Sequence, residues 1–152
     1  MALHVRTQLR HAAVELLDDL PTTGDRVYRG RRRTLGHDHA PSLLIYTDDE
    51  DVMLASQGSP PTQDRSVMLM IECRANGAES DELEDLLDVM AAEVEPAILD
   101  NPSFAGLASH TVLVKSRTRI EAKGDLLNGG VRLEFRVTYS TEEGRPTVAI
   151  VI

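Results

Sequence analysis

Few residues in this chain could do chemistry, and most of them fall in two polar stretches. His37, Asp38 and His39 offer imidazole and carboxylate ligands of the kind that hold zinc and related ions. No third ligand stands at a defined spacing, and the trio sits in a basic, glycine-flanked loop, so no metal site is assigned. His4 and His11 could share one face of a helix, where a rim position accounts for both. Asp48, Asp49, Glu50 and Asp51 are consecutive acids. A calcium loop would need alternating ligands and a glycine at a set place, so they read as a solvated charge run. Arg31, Arg32 and Arg33 could meet phosphate or an acidic partner, but the aromatic interleaving that stacks bases is missing. Ser56, Ser59 and Ser66 lack the glycines of a nucleophile elbow. Gly124, Gly129 and Gly130 belong to a turn, with no Lys-Ser/Thr after them, so no phosphate loop is present. No catalytic residue, metal or cofactor is assigned, and the chain is not read as an enzyme.

Composition narrows the classes further. A length of 152 residues fits a single domain, 1–152, with enough core to fold alone. The net charge of −9 repels phosphates, which disfavours generic nucleic-acid binding. The lone cysteine, Cys73, can form no internal disulfide and reads as a small buried hydrophobe. No apolar run approaches the roughly 20 residues of a membrane span. The N-terminus lacks the apolar stretch of a secretory signal, so folding in a cytoplasm is expected.

The elements that would position these residues follow from periodicity. Residues 3–20 read as an amphipathic helix through Val5, Leu9, Ala12, Ala13, Leu16 and Leu20. Residues 25–31 form a short strand and 41–47 a central one. Residues 48–64 read as a long loop, an interface element that orders on docking. Residues 65–75 are a strand with Val67, Leu69, Ile71 and Cys73 on one face. Met68 and Met70 lie on the other, which implies that this face too is covered, by a helix or a neighbour. Residues 81–99 are a second helix, with Ser80 as N-cap and Asp81, Glu82 and Glu84 suiting the dipole. Residues 111–123 and 131–140 alternate with a period of two and form a hairpin around the turn-rich segment 124–130. The fold class is α+β: a mostly antiparallel, mixed sheet of about five strands with both helices on one face.

The C-terminal extension, 141–152, ends on an apolar run. Val148, Ile150 and Ile152 alternate with Thr147, Ala149 and Val151, so the tail can form a strand that pairs with its own sheet edge or, by strand addition, with another subunit. The expected interface residues are therefore Arg31, Arg32, Arg33, Asp48, Asp49, Glu50, Asp51, Met68, Met70, Val148, Ile150 and Ile152.

The whole pattern resembles a family. It runs from the helix around His4 to Leu17, through Gly24-Asp-Arg-Val-Tyr-Arg-Gly30, Ala40-Pro-Ser-Leu-Leu-Ile-Tyr46, the strand 65–75 and the helix 83–98, to Gly130-Val-Arg-Leu-Glu-Phe-Arg-Val-Thr-Tyr139. Over about residues 4–140 it resembles the tail terminator (minor tail, or tail completion) proteins of long-tailed bacteriophages and phage-derived gene-transfer particles. The resemblance implies a structural virion protein that forms a homo-oligomeric ring, commonly of six. That ring caps the tail tube at the head-proximal end and joins it to the head-completion, or stopper, protein. It implies assembly in the host cytoplasm, no membrane, and DNA passing through the lumen without specific binding. An acidic lumen would let DNA slide. Two alternatives stay open: another neck or head-tail completion protein of the same fold, and a small-molecule- or metal-binding dimeric α+β domain with His37 and His39 at its site.

Overall fold

Val5, Leu9, Ala13 and Leu17 recur every fourth residue and are all buried, which sets the inner stripe of the first helix, α1 (Val5–Leu17). His4 caps it: the Arg6 amide donates to His4 Nδ1 at 3.1 Å. The computed structural model describes residues 1–31 and 41–150. After α1 come β1 (Val27–Arg29), β2 (Ser42–Ser56), β3 (Thr62–Gly77), α2 (Ser80–Leu99), β4 (His110–Lys123) and β5 (Leu126–Glu142).

The strands form one five-stranded sheet in the order β1-β2-β3-β5-β4. β1 runs parallel to β2, and every other pairing is antiparallel. Both helices pack on one face, so the expected mixed sheet with helices on one side is what forms. Leu83, Leu87, Met90, Ala91, Val94 and Ile98 of α2 join the α1 stripe over Leu43, Ile45, Val67, Leu69, Ile71, Val131, Leu133, Phe135 and Val137. Each fully buried large apolar side chain contributes roughly 1.5–3 kcal/mol. Cys73 is a free, buried thiol in this core, and burial pushes its pKa up to about 12. The α2 N-cap is Glu79, with no side-chain cap bond, and Ser80 is the first helical residue rather than the cap. Asp81 and Glu82 still occupy the first turn, where the helix dipole favours them.

Three local features depart from the expected pattern. Gly129 lies in β5, not in a turn, and its role is close approach: a Cβ there would meet Leu83 Cδ2 and Leu87 Cδ1 at 2.9 Å. In β4 the register shifts between Leu113 and Lys115. Leu113 pairs with Phe135 on the helix side, whereas Val112 pairs with Arg136 on the opposite face. Past the shift, Ser116, Thr118, Ile120 and Ala122 take the helix side.

The third departure is the largest. Residues 48–64 are not a loop. β2 continues to Ser56 and β3 begins at Thr62, so only 57–61 turn between them. The run of acids disguises the strand because a bulge sits inside it: the register passes from Thr47↔Leu69 to Glu50↔Val67, leaving Asp48 and Asp49 together. The result is a long hairpin, here called the arm, whose β3 strand stays paired with β5 out to Thr62↔Glu142 and whose β2 strand lies outermost.

The C-terminal extension returns to its own chain. The Ile150 amide donates to Ser140 O at 2.8 Å, on the edge of β5 that β4 leaves open. The Val5 amide donates to Pro146 O at 2.9 Å, and Gln8 Nε2 donates to Thr147 O at 2.9 Å. Ala149 packs against the core. A neighbour is therefore not needed to satisfy Ile150, because the chain's own edge is closer.

Candidate functional site

The bulge at Asp48 and Asp49 has a chemical consequence: it turns Glu50 inward. Glu50 shares a register row with Val67 and Val137, on the helix side. Its side chain is 4% exposed. Three groups meet it there. Tyr139 Oη donates to Glu50 Oε2 at 2.6 Å, Arg65 Nη1 donates to Glu50 Oε1 at 3.0 Å, and Arg6 Nη1 of α1 lies 3.6 Å from Oε1. Arg65 is itself held by Thr141 Oγ1 at 3.1 Å and Gln63 Oε1 at 3.3 Å. Burial first, and the bond to Glu50 second, push the Tyr139 phenol well above its ordinary value. The cluster joins β2, β3, β5 and α1 at the root of the hairpin arm. Tyr139 is fully buried, so no substrate can reach its hydroxyl. The arrangement is a latch that holds the arm.

Beyond the latch the arm is wet. Val52, Met53 and Leu54 are consecutive, and they are 47%, 71% and 56% exposed. β1 pairs with β2 only at Leu43, Leu44 and Ile45. Among the described residues, no strand pairs with the outer edge of β2 over 48–56. Unpaired backbone and exposed apolar side chains thus occur together on one edge.

The other edge of the sheet is β4, and its chemistry differs. Lys115, Arg117, Arg119 and Lys123 are exposed there, against one acid, Glu121. All four cations register on the face away from the helices. That face carries an open groove of about 860 Å³, to which Arg74, Arg117, Arg119 and Arg132 contribute. Much of its charge is internally matched, with Arg74–Glu72 at 3.1 Å and Arg132–Glu134 at 3.9 Å.

The expected interface residues scatter over this frame. Arg31 is exposed; it donates to Thr47 O at 2.8 Å, lies 3.2 Å from Asp48 Oδ1 and covers the Tyr46 ring at 5.1 Å. Asp49 and Asp51 are exposed on the arm. Glu50 is not a surface residue, because the bulge reverses its face. Met70 is buried and Met68 half-buried, beside Leu44 and Tyr46, on the face away from both helices. Their cover comes from this chain's own side chains, including Arg31 over Tyr46, rather than from a helix. Val148 is exposed and Ile150 half-buried. Arg32, Arg33, His37, Asp38, His39 and Ile152 lie outside the described residues. Among the described residues, no group of three or more His, Cys, Asp or Glu is placed to hold a metal. No described helix is long and apolar enough to cross a membrane.

Sequence reasoning missed Arg6, Arg65, Tyr139 and Thr141 as one cluster, because a bulge is invisible to strict alternation. It also missed the Val52–Leu54 edge, although an apolar run before Gly58 and Pro60 is a strand-and-turn signal.

No protein-family model matches the chain, and no curated protein matches it. Among solved structures, it is similar to a chain described as "Virion of native gene transfer agent (GTA) particle". The identity is 19% and the TM-score 0.39, covering 90% of this chain and 95% of that one. A superposition that loose carries no statement about role.

Proposed function

We propose that the chain is a structural virion protein, a tail terminator whose copies form a ring that caps the tail tube. In this reading its partners are further copies of itself, the tail tube protein and the head-completion protein, and DNA passes through the lumen. The observation that carries the reading is the hairpin arm. It presents exposed Val52, Met53 and Leu54 on an unpaired edge, held out by a buried latch. A long apolar edge left open is an aggregation hazard in a monomer, so its retention points to an assembly partner. The Glu50 carboxylate and the Tyr139 hydroxyl are buried in that latch, which fits a structural role. The resemblance of residues 4–140 to tail terminators supports a position at the end of the tail tube.

Particles made without this protein are expected to carry tails of uncontrolled length, or tails that never join heads, as seen by negative-stain electron microscopy. Infectious particles of normal form from a deletion strain overturn the reading.

A further inference from the structure

We infer that residues 114–119 of β4 in one copy pair antiparallel with residues 49–54 of β2 in the next, with Asp51 opposite Arg117 and Asp49 opposite Arg119; β1 holds the β2 edge at Leu43–Ile45, so β4 diverges from it past Arg119. The inference rests on the ring reading above and names the contact that builds it.

Direction is the first argument. β4 is antiparallel to β5, β5 to β3, and β3 to β2, so β4 and β2 run in opposite senses within one sheet. If the next copy continues the sheet in the same orientation, its β2 lies antiparallel to β4, which is the more stable ladder. The two edges are different surfaces, so the contact is heterologous. Heterologous contacts make rings when the rotation closes.

Charge is the second argument. Exposed Asp49 and Asp51 stand on one edge and exposed Lys115, Arg117 and Arg119 on the other. Asp51 pairs with Ser66, and Arg117 with Arg132, both in rows on the face away from the helices. The opposite charges would therefore meet on the same side of the joined sheet. The proposed register also sets Val52 opposite Ser116 and brings Leu54 to Val114, which is 40% exposed. Apolar and small side chains thus line the helix side of the seam.

Geometry is the third. Within one subunit, the Asp51 row crosses Ser66 and Thr138 to reach His110, while Arg117 stands opposite Arg132. Pairing Asp51 with Arg117 therefore staggers the next copy along β5 from Thr138 to Arg132, about 20 Å at about 3.3 Å per residue. The long strands β2, β3, β5 and β4 span about 19 Å at roughly 4.8 Å each. Equal stagger and width tilt the strands about 45° from the ring axis, within the range of closed barrels. A register chosen for charge thus also gives a tilt of the size that closed barrels show.

Charge reversal tests this. Asp49→Arg with Asp51→Arg, or Arg117→Glu with Arg119→Glu, is expected to weaken self-assembly by at least about tenfold. All four changes in one chain should restore it, since each reversed edge then meets a reversed edge. Sedimentation velocity reads the oligomer and circular dichroism checks the fold. As a second probe, Asp51→Cys with Arg117→Cys should oxidise to a ladder of linked copies, Cys73 being buried. If the native protein forms no oligomer, alone or on particles, the ring reading fails. If it forms oligomers that the paired reversals leave unchanged, or that the fourfold variant does not recover, the ring reading stands and this edge pairing is wrong.

Discussion

β2 and β3 each cross two regions that are held together by different physics. Their proximal halves lie under the helices, where Leu43, Ile45, Leu69 and Ile71 are all fully buried. Their distal halves form the arm, whose root is held by Glu50, Arg65 and Tyr139 and whose far edge stays exposed. The same pair of strands thus ends in a dry core at one end and an exposed, unpaired edge at the other. If the proposed assembly holds, stability belongs to the first region and assembly to the second, and substitutions should separate them.

The largest expected effect is in the core. Phe135→Ala should cost about 3–5 kcal/mol in urea unfolding, because Phe135 is fully buried in the helix-side core. A loss below about 1 kcal/mol, the ordinary range for a surface site, would break the division. Next comes the latch. Glu50→Ala leaves Arg65, whose side chain is 13% exposed, without its carboxylate. The expected cost is roughly 3 kcal/mol, near the low end for breaking a buried pair because Arg6 is partly wet. If that variant unfolds at the native denaturant midpoint, the latch does not hold the arm.

Tyr139 sharpens the same point through pH. Its folded pKa is raised, by burial first, so the folded state holds the proton more tightly than the unfolded chain. That contribution is complete below the ordinary tyrosine value of about 10 and is lost as pH climbs above it. Tyr139→Phe should flatten the alkaline decline at the expense of one hydrogen bond to a carboxylate, roughly 1.5–3 kcal/mol at neutral pH. His4 works in the opposite direction. Burial lowers its pKa first, helped by Arg6. Its contribution is therefore complete above the ordinary histidine value of about 6.5 and is lost as pH falls through the lower folded value. Protonation also occupies the Nδ1 that caps α1, so thermal melts should show an acid-side loss of about 1 kcal/mol or less that His4→Asn removes. Smallest of all, Leu54→Ser on the open edge should change monomer stability by no more than about 0.5 kcal/mol, while sedimentation shows weaker association.

Strict patterns were readable from the chain. The alternation Val131, Leu133, Phe135, Val137 and Tyr139 gives the buried face of β5, and the leucine stripe of α2 gives its packing face. Interruptions were not. Asp48 and Asp49 hide a strand because two residues stand opposite one, so Glu50 appears to belong with the exposed acids when it points inward. Val114 breaks β4 in the same way. Gly129 looks like turn chemistry because glycine is favoured both in turns and where a helix presses on a strand, and only the position of Leu83 and Leu87 tells the two apart. Ile150 could satisfy its amide on either of two edges, and the choice depends on where β4 begins.

The latch also bears on the kinetics of docking. An arm that becomes ordered only on contact would lose conformational entropy at that moment, which weakens binding and slows productive encounter. Here Glu50 is tied to three elements in the free subunit. The freedom of the arm is already lost when the chain folds, so in the proposed ring each incoming copy would meet a preorganised edge. Incorporation should then be limited by diffusion and orientation rather than by any rearrangement of the arm.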